Sequence, residues 1–186
     1  MTMTNKNIFV VFSPGLGGNH VANMIGTADG YLTRATAEQY ATHTDENAHF
    51  DENYYNLDFS DTSTRVRAMH FSEFIGHTNK IQSIENRQIL LLSLPRRVSL
   101  AYRRYQDYHK NLMKIYLYEE QRLIYSQKVI EKLTNETNFV TLDTELVFNS
   151  EISGFIKFIQ DKMNIQLNIT ECSKMHHAWF EKIKGK

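Results

Sequence analysis

The amino-acid sequence predicts an α/β fold, a three-layer sandwich in which helices cover both faces of a central parallel sheet. Segments with strand character alternate with segments of helical periodicity along the chain. The predicted strands are short and apolar throughout, which is typical of strands that are buried on both faces. The length of 186 residues and the hydrophobic content of 41% fit one core, so we expect residues 1–186 to form a single domain.

The first predicted unit is a strand, a tight turn and a helix. Ile8 to Phe12 are all β-branched or aromatic, and Pro14-Gly15 interrupts this strand. A helix that begins at Asn19 or His20 continues to Ile25, and Gly26 closes it. This unit places a turn at the carboxyl end of a buried strand.

The middle of the chain combines two further strands with a long polar segment. Thr33–Thr42 is predicted to be an amphipathic helix, and the acidic segment Thr44–Thr64 a long surface loop suited to a lid over an acceptor site. Arg65 to Met69 predicts a second strand, which ends at His70. Gln88 to Leu92 predicts a third, fully buried strand, which stops before Pro95.

The last part of the chain alternates helices with one more strand. Helical spacing from Arg96 to about Leu133 indicates two helices with a break between them. Asn138–Leu142 predicts a strand, and Ser150–Asn164 an amphipathic helix capped by Asn149 or Ser150. Thr170 is predicted to cap the final helix.

Composition excludes several classes of function. Lys plus Arg equals Asp plus Glu at 21 each, so no net charge attracts nucleic acid or an anionic membrane. The lone cysteine, Cys172, excludes an intramolecular disulfide and suggests a reducing compartment. No apolar run has the length of a membrane span, and the N-terminus lacks a signal-peptide core. We therefore expect a cytoplasmic protein.

The segment between the first strand and its helix has the composition of an anion-binding loop. It reads Ser13-Pro14-Gly15-Leu16-Gly17-Gly18-Asn19-His20. Glycines allow main-chain N–H groups to point inward, and a helix N-terminus adds positive potential. No Gly-Lys-Ser/Thr follows, so the loop is not a Walker A motif. Two alternatives remain open: the loop is only a tight connection, or Asn19 caps the helix and contacts no ligand.

Three candidate segments follow predicted strands directly. They are the glycine loop, His70 and the Ser93–Arg97 turn. In a parallel sheet, ligands bind beyond the carboxyl ends of the strands, so we expect these segments to meet at one edge. His70 at this edge is either a structural histidine or a general base.

His176 and His177 are adjacent, and on a helix they point in different directions, so we expect no metal site there.

Four segments, in order, resemble the sulfotransferase superfamily of P-loop-like α/β proteins. The glycine loop is similar to the family's 5′-phosphosulfate loop. Met69-His70-Phe71 is similar to the segment that carries the family's catalytic base. Gln88–Tyr102 looks like the strand, turn and helix that bind the 3′-phosphate. Phe139–Leu146, with the Phe155–Ile165 helix after it, is similar to a further strand and helix of the family.

The resemblance implies a ligand and a reaction. The donor substrate would be 3′-phosphoadenosine 5′-phosphosulfate, and the sulfuryl group would pass to an unknown hydroxyl or amine, without a metal. It implies that His70 is the base. We expect His20 to act as a cationic or hydrogen-bond-donor group in place of the cation that the family has in this loop. The predicted nucleotide-binding residues are Ser13, Gly15, Gly17, Gly18, Asn19, His20, Ser93, Arg96 and Arg97. The short chain leaves open a homo-oligomer in which a second subunit completes the acceptor site.

The chain also departs from the family at three positions. Leu16 stands where the family has a loop Lys or Arg, Ser93 where it has a phosphate-binding Arg, and Ala101 where it has a Ser. Loss of one aimed stabilising group costs about 2.7–4 kcal/mol of transition-state stabilisation. Two alternatives to a sulfotransferase-like enzyme therefore stay open: a catalytically degenerate interaction module, and an atypical small-molecule kinase, which would require magnesium.

Overall fold

The computed structural model describes residues 6–13, 15–28, 31, 66–93, 100, 103 and 139–184. The described part contains an all-parallel sheet of four strands: β1 (Asn7–Phe12), β2 (Val66–His70), β3 (Arg87–Leu92) and β4 (Phe139–Leu142). The prediction of an α/β fold with a parallel sheet is confirmed. All four predicted strands are present, and their described ends differ from the predicted ends by one residue at most.

The strand order β2-β1-β3-β4 puts the first strand inside the sheet. Phe12 pairs with His70 on one side of β1, and Val11 pairs with Leu91 on the other. From β1 the chain continues to β2, which forms one edge strand of the described sheet. From β3 it continues to β4, which forms the other edge strand. The strand order therefore reverses between β1 and β3, which is where open parallel sheets bind their ligands.

Helices cover both faces of the sheet, consistent with three layers. The first face carries α1 (Gly18–Ile25), α4 (Ser153–Met163) and α5 (Ile169–Lys184), and the second carries α2 (Phe71–Gly76) and α3 (Thr78–Gln82). Connections that run in opposite directions along a sheet pass over opposite faces when both crossovers have the same hand. The positions of α1 and of α2 with α3 fit this rule.

The hydrophobic core is divided between these two faces. Successive side chains of a strand point to opposite faces, so Ile8, Val10 and Phe12 join the larger cluster while Phe9 and Val11 join the smaller one. Helix residues that complete the larger cluster include Val21, Met24, Phe155, Ile159 and Cys172, and Phe74 and Ile81 complete the smaller. Burial on both faces explains why β1 is apolar from Ile8 to Phe12 and β3 from Ile89 to Leu92.

Two predicted helix caps are wrong. Neither Asn149 nor Ser150 caps α4, because that helix begins after Ile152, and the Asn149 side chain instead accepts the N–H of Glu151 at 3.1 Å. Thr170 does not cap α5 either: it lies inside the helix, and the Asn168 side chain accepts the N–H of Glu171 at 3.2 Å. Several cap-forming residues in a row make the choice ambiguous from sequence.

Two short helices, α2 and α3, were not predicted. They connect β2 to β3, and they are only six and five residues long. The predictions for Thr33–Thr42, Thr44–Thr64 and the helical segment Arg96–Leu133 fall outside the described ranges, apart from residues 100 and 103. Among the described helices, none combines the length and the apolar character of a membrane span.

Candidate functional site

The carboxyl edge of the sheet brings predicted site residues together, as the sequence analysis expects. The register places Phe12 beside His70, so the glycine loop and His70 leave neighbouring strands. The rings of these two residues make an edge-to-face contact with centroids 4.9 Å apart. Ser93 follows β3, the neighbour of β1 on its other side. Arg96, Arg97, Pro14 and Ala101 lie outside the described residues, and their predicted roles stay predictions.

The glycine loop has two residues in the left-handed region. Gly15 has φ 89°, and Gly17, which precedes α1, has φ 71° and ψ 25°. A side chain at either position would strain the main chain. The Leu16 N–H donates to the Ser13 carbonyl at 3.2 Å, which tightens the turn between strand and helix. The glycine spacing is therefore a requirement of the loop's backbone.

The first turn of α1 supplies the N–H groups that an anion site needs. The helical ladder begins with the Val21 N–H, which donates to the Gly17 carbonyl at 3.0 Å. The N–H groups of Gly18 and Asn19 precede that bond, and Gly17, the residue before the helix, has no side chain to cap them. Such N–H groups, together with the helix dipole, favour a negatively charged ligand.

Gly18 is required for a second reason, its contact with the sheet. A Cβ atom at this position would clash with the ring of Phe12, the last residue of β1. The glycine therefore lets the first turn of α1 pack directly on the strand end. The close approach fixes the N–H groups of Gly18 and Asn19 at the sheet's carboxyl edge.

Leu16 belongs to the hydrophobic core. Its side chain has no exposed surface and lies in the larger core cluster. The resemblance places the family's catalytic Lys or Arg at this position, but a side chain here points into the protein interior. A cation at position 16 would be buried without water, at a large cost in free energy. The departure from the family therefore follows from the packing of this loop.

The side chain of His20 is fully buried, and it contacts two residues of α5. Its Nε2 lies 3.2 Å from Nδ1 of His176, and its ring stacks on Trp179 with centroids 4.2 Å apart and an interplanar angle of 11°. Burial, and secondarily His176, hold the pKa of His20 well below the usual value of 6.5. A ring that is neutral at pH 7 does not supply the missing cation, and the alternative that His20 acts as a hydrogen-bond donor stays a prediction.

Trp179 is the site residue that sequence reasoning missed. It contacts His20, it packs edge-to-face on Phe148 at 5.1 Å, and a Cβ on Gly17 would stand 3.1 Å from its ring. One signal was present: His176, Trp179 and Phe180 share a helix face at spacings of three and four. Helical periodicity shows which residues share a face of α5, but it does not show what that face packs against. The contact of α5 with the glycine loop could therefore not be predicted from the sequence.

His70 is the last residue of β2 and the N-cap residue of α2. It forms a capping box with Glu73, whose carboxylate accepts the His70 N–H at 2.7 Å. Burial raises the pKa of Glu73, and the hydrogen bond from His70 opposes that shift. This box gives His70 a structural role, one of the two readings that the sequence left open. Its role as a general base stays a prediction.

Ser93 is fixed by its main chain and leaves a half-buried side chain at the edge. Its N–H donates to the Leu142 carbonyl at 2.9 Å, and its carbonyl accepts the Thr144 hydroxyl at 3.2 Å. Thr144 is fully buried and was not singled out from the sequence. Through these two bonds the chain after β4 holds the chain after β3 in place.

The described ranges contain no cluster of three or more His, Cys, Asp or Glu side chains with the arrangement of a metal site. Cys172 is buried, and burial raises the pKa of its thiol to about 12. A thiol in this state stays protonated and unreactive at neutral pH. The groups that the described edge offers to a ligand include main-chain N–H groups, the hydroxyls of Ser13 and Ser93 and the imidazole of His70.

Comparison with known proteins gives no further assignment. The chain matches no protein-family model, no curated protein and no solved structure. The candidate function therefore depends on the geometry of this edge and on the motifs found in the sequence.

Proposed function

We propose that this chain binds an anionic ester at the first turn of α1, and that the ligand is a nucleotide of the phosphoadenosine type. The observation that carries the proposal is the position of the first turn of α1, which Gly18 packs against the end of β1 where the strand order reverses. The N–H groups of Gly18 and Asn19 precede the helical ladder there. A phosphate or sulfate group is the ligand that such a site prefers.

Ser13 supports the same ligand. Its hydroxyl is buried at the start of the loop and makes no hydrogen bond within the described part of the chain. A buried hydroxyl without a partner destabilises a protein by about 1–3 kcal/mol. An ester oxygen that accepts from Ser13 Oγ would remove this penalty, so binding and stability would be linked.

The reaction proposed for this ligand is sulfuryl transfer. An acceptor hydroxyl or amine attacks the sulfur, its proton passes to His70, and the bond between sulfur and the bridging oxygen of the nucleotide phosphate breaks. Because Leu16 is buried in the core, the charge on that leaving phosphate needs a cation from another part of the chain. Arg96 and Arg97, which follow Ser93 in sequence, are the proposed source.

A second candidate, an interaction module without turnover, is favoured by the burial of Leu16 and His20. Neither side chain has exposed surface. Leu16 lies where the resemblance implies a cation, and His20 is the residue expected to replace that cation. A protein of this kind would keep the fold and the anion cradle while transferring nothing. Binding without transfer separates this candidate from the enzyme.

Trp179 provides a direct binding assay, because it is the only tryptophan of the chain and lies against Gly17. We expect 3′-phosphoadenosine 5′-phosphate to change its fluorescence saturably and to release or absorb heat with the same dissociation constant. Binding should be equal with and without magnesium. A magnesium requirement would favour the kinase alternative, and no binding at millimolar nucleotide would overturn the proposal.

Two arginine variants sharpen the assay. R96A should weaken nucleotide binding at least tenfold, because hydrogen bonds to charged groups contribute about 1.5–3 kcal/mol. R103A is the matched control, since Arg103 is exposed, and it should bind as the wild type does. Equal binding by both variants would remove Arg96 from the site. Transfer of labelled sulfate to simple alcohols and amines then distinguishes the enzyme from the module.

A further inference from the structure

A chain of two hydrogen bonds determines where the protons of the buried histidine pair lie. Nε2 of His176 is 2.7 Å from the carbonyl oxygen of Asn149, which only accepts, so this nitrogen carries the proton. In the neutral ring Nδ1 of His176 is then an acceptor. Nε2 of His20, at 3.2 Å, donates to it. The carbonyl of Asn149 thus selects one tautomer in each ring.

The same pair joins two distant parts of the chain. His20 lies in the first turn of α1, and His176 lies 156 residues later in α5. Trp179, one turn after His176, stacks on the His20 ring, and a Cβ on Gly17 would stand 3.1 Å from the Trp179 ring. The side chain of His20 is therefore held by a hydrogen bond and by a stacked ring at once.

This anchoring matters because the loop before His20 is rich in glycine. Gly15, Gly17 and Gly18 have more main-chain freedom than other residues, so an unanchored loop would lose entropy on binding a ligand. Binding is tighter when the site is already ordered. His20 is the first residue after the three glycines whose side chain is locked in the core.

We infer that His176 is a positioning residue for the anion site. Through Nδ1 it holds the His20 ring in the Nε2-protonated tautomer, and together with Trp179 it fixes the first turn of α1. The inference rests on the proposed function, since it assigns a role in anion binding to a residue of α5. His176 itself does not touch the ligand.

Three substitutions at one position separate positioning from packing. H176N places an amide oxygen near the position of Nδ1, so it keeps an acceptor for His20. H176Q places an amide N–H near the position of Nε2, so it keeps the bond to Asn149 and loses that acceptor. H176F fills the space and keeps neither bond. Thermal unfolding of each variant measures the loss of stability that they share.

The first readout is the tautomer of His20, taken from long-range ¹H–¹⁵N spectra of the imidazole groups. Wild type and H176N should show a single Nε2-protonated form, and H176Q and H176F should lose it. The second readout is the dissociation constant for inorganic sulfate and for 3′-phosphoadenosine 5′-phosphate. H176Q and H176F should bind both about threefold to tenfold more weakly, and H176N should remain close to wild type.

The outcomes are distinguishable from those of the proposed function. A His20 tautomer and an affinity that survive both H176Q and H176F overturn the positioning role, as does an H176N variant that binds as weakly as H176F. If the wild type binds neither sulfate nor the nucleotide, the proposed function fails and the anion-positioning role fails with it. The tautomer spectra would still show whether His176 controls His20.

Discussion

His20 and His176 form a buried pair in which Nε2 of one ring lies 3.2 Å from Nδ1 of the other. The two side chains are at most 1% exposed, and the bond connects the glycine loop's helix to the last helix of the described chain. In this hydrogen bond His20 Nε2 is the donor, so Nδ1 of His176, the acceptor, has to be unprotonated. Protonation of His176 at Nδ1 would replace that acceptor with a second donor, so the pair links folding to pH.

The first prediction concerns stability at mildly acidic pH. Burial lowers the pKa of both His20 and His176 from the ordinary value of 6.5. The unfolded chain therefore takes up protons below about pH 6.5 that the folded chain does not. The stabilisation is complete above that pH and declines as pH falls toward the folded-state pKa values, with a slope of up to about 1.4 kcal/mol per pH unit for each proton. Urea unfolding at several pH values measures this slope.

Variants of the two neighbouring histidines provide the control. H176N removes one of the two buried titrating rings, so its slope between pH 6.5 and 5.5 should be smaller than that of the wild type. His177 is exposed, and H177N leaves the buried pair in place, so it should keep most of the slope. An H176N slope equal to that of the wild type would assign the acid sensitivity to other groups.

The second prediction compares two glycines. G18A places a Cβ that clashes with the ring of Phe12, which must move, and overpacking of this kind typically costs about 1–3 kcal/mol. Gly76 is the last residue of α2, and a Cβ added there would have no atom within 4 Å. G76A should therefore leave the free energy of unfolding unchanged or raise it by up to about 1 kcal/mol. Chemical denaturation gives both values. Anion binding should be lost in G18A alone, and a G18A protein as stable as G76A would contradict the packing described.

Much of the fold could be predicted because the informative residues are local. The run Ile8–Phe12 has to be a buried strand, and the prolines and glycines after it restrict the turn. The helices α2 and α3 escaped prediction because five or six residues carry too little periodicity. The cap of α5 was assigned to Thr170 when Asn168 was equally suitable, and only the start of the helix decides between them.

The candidate site also has a part that could be predicted from the sequence and a part that could not. The positions of Gly15 and Gly17 in the left-handed region follow from their spacing in a strand-to-helix turn. The burial of Leu16 does not, because a loop residue between two glycines gives no periodic signal of its direction. The contact of His20 with His176 joins residues 156 positions apart, and a single sequence contains no information on such a pair.

The third prediction concerns a cation at position 16, where the resemblance to the sulfotransferase superfamily implies one. L16K puts an ammonium group at a position with no exposed surface, so it should destabilise the protein by several kcal/mol and should not create transferase activity. N19K is the matched control in the half-buried first turn of α1, where a basic residue costs about 0.3–1 kcal/mol through the helix dipole. Unfolding free energies and sulfate transfer are measured for both. A stable, active L16K would show that Leu16 faces the ligand.

The last prediction concerns the bond between Thr144 and Ser93. The Thr144 hydroxyl donates to the Ser93 carbonyl at 3.2 Å, next to the Ser93 N–H that donates to Leu142. T144V removes this hydroxyl from a fully buried side chain and should destabilise the protein by about 0.5–1.5 kcal/mol. The Ser93 amide should also exchange its proton faster, because the chain after β3 loses one of its two attachments.

T144S is the control for that substitution, since it keeps the hydroxyl and removes only the methyl group. Its stability should fall through the small cavity that remains, whereas Ser93 exchange should stay close to wild type. If Ser93 contributes to the 3′-phosphate site, T144V should weaken binding of 3′-phosphoadenosine 5′-phosphate more than T144S does, at equal affinity for sulfate. Equal losses in the two variants would mean that Thr144 stabilises the core without ordering the edge of the sheet.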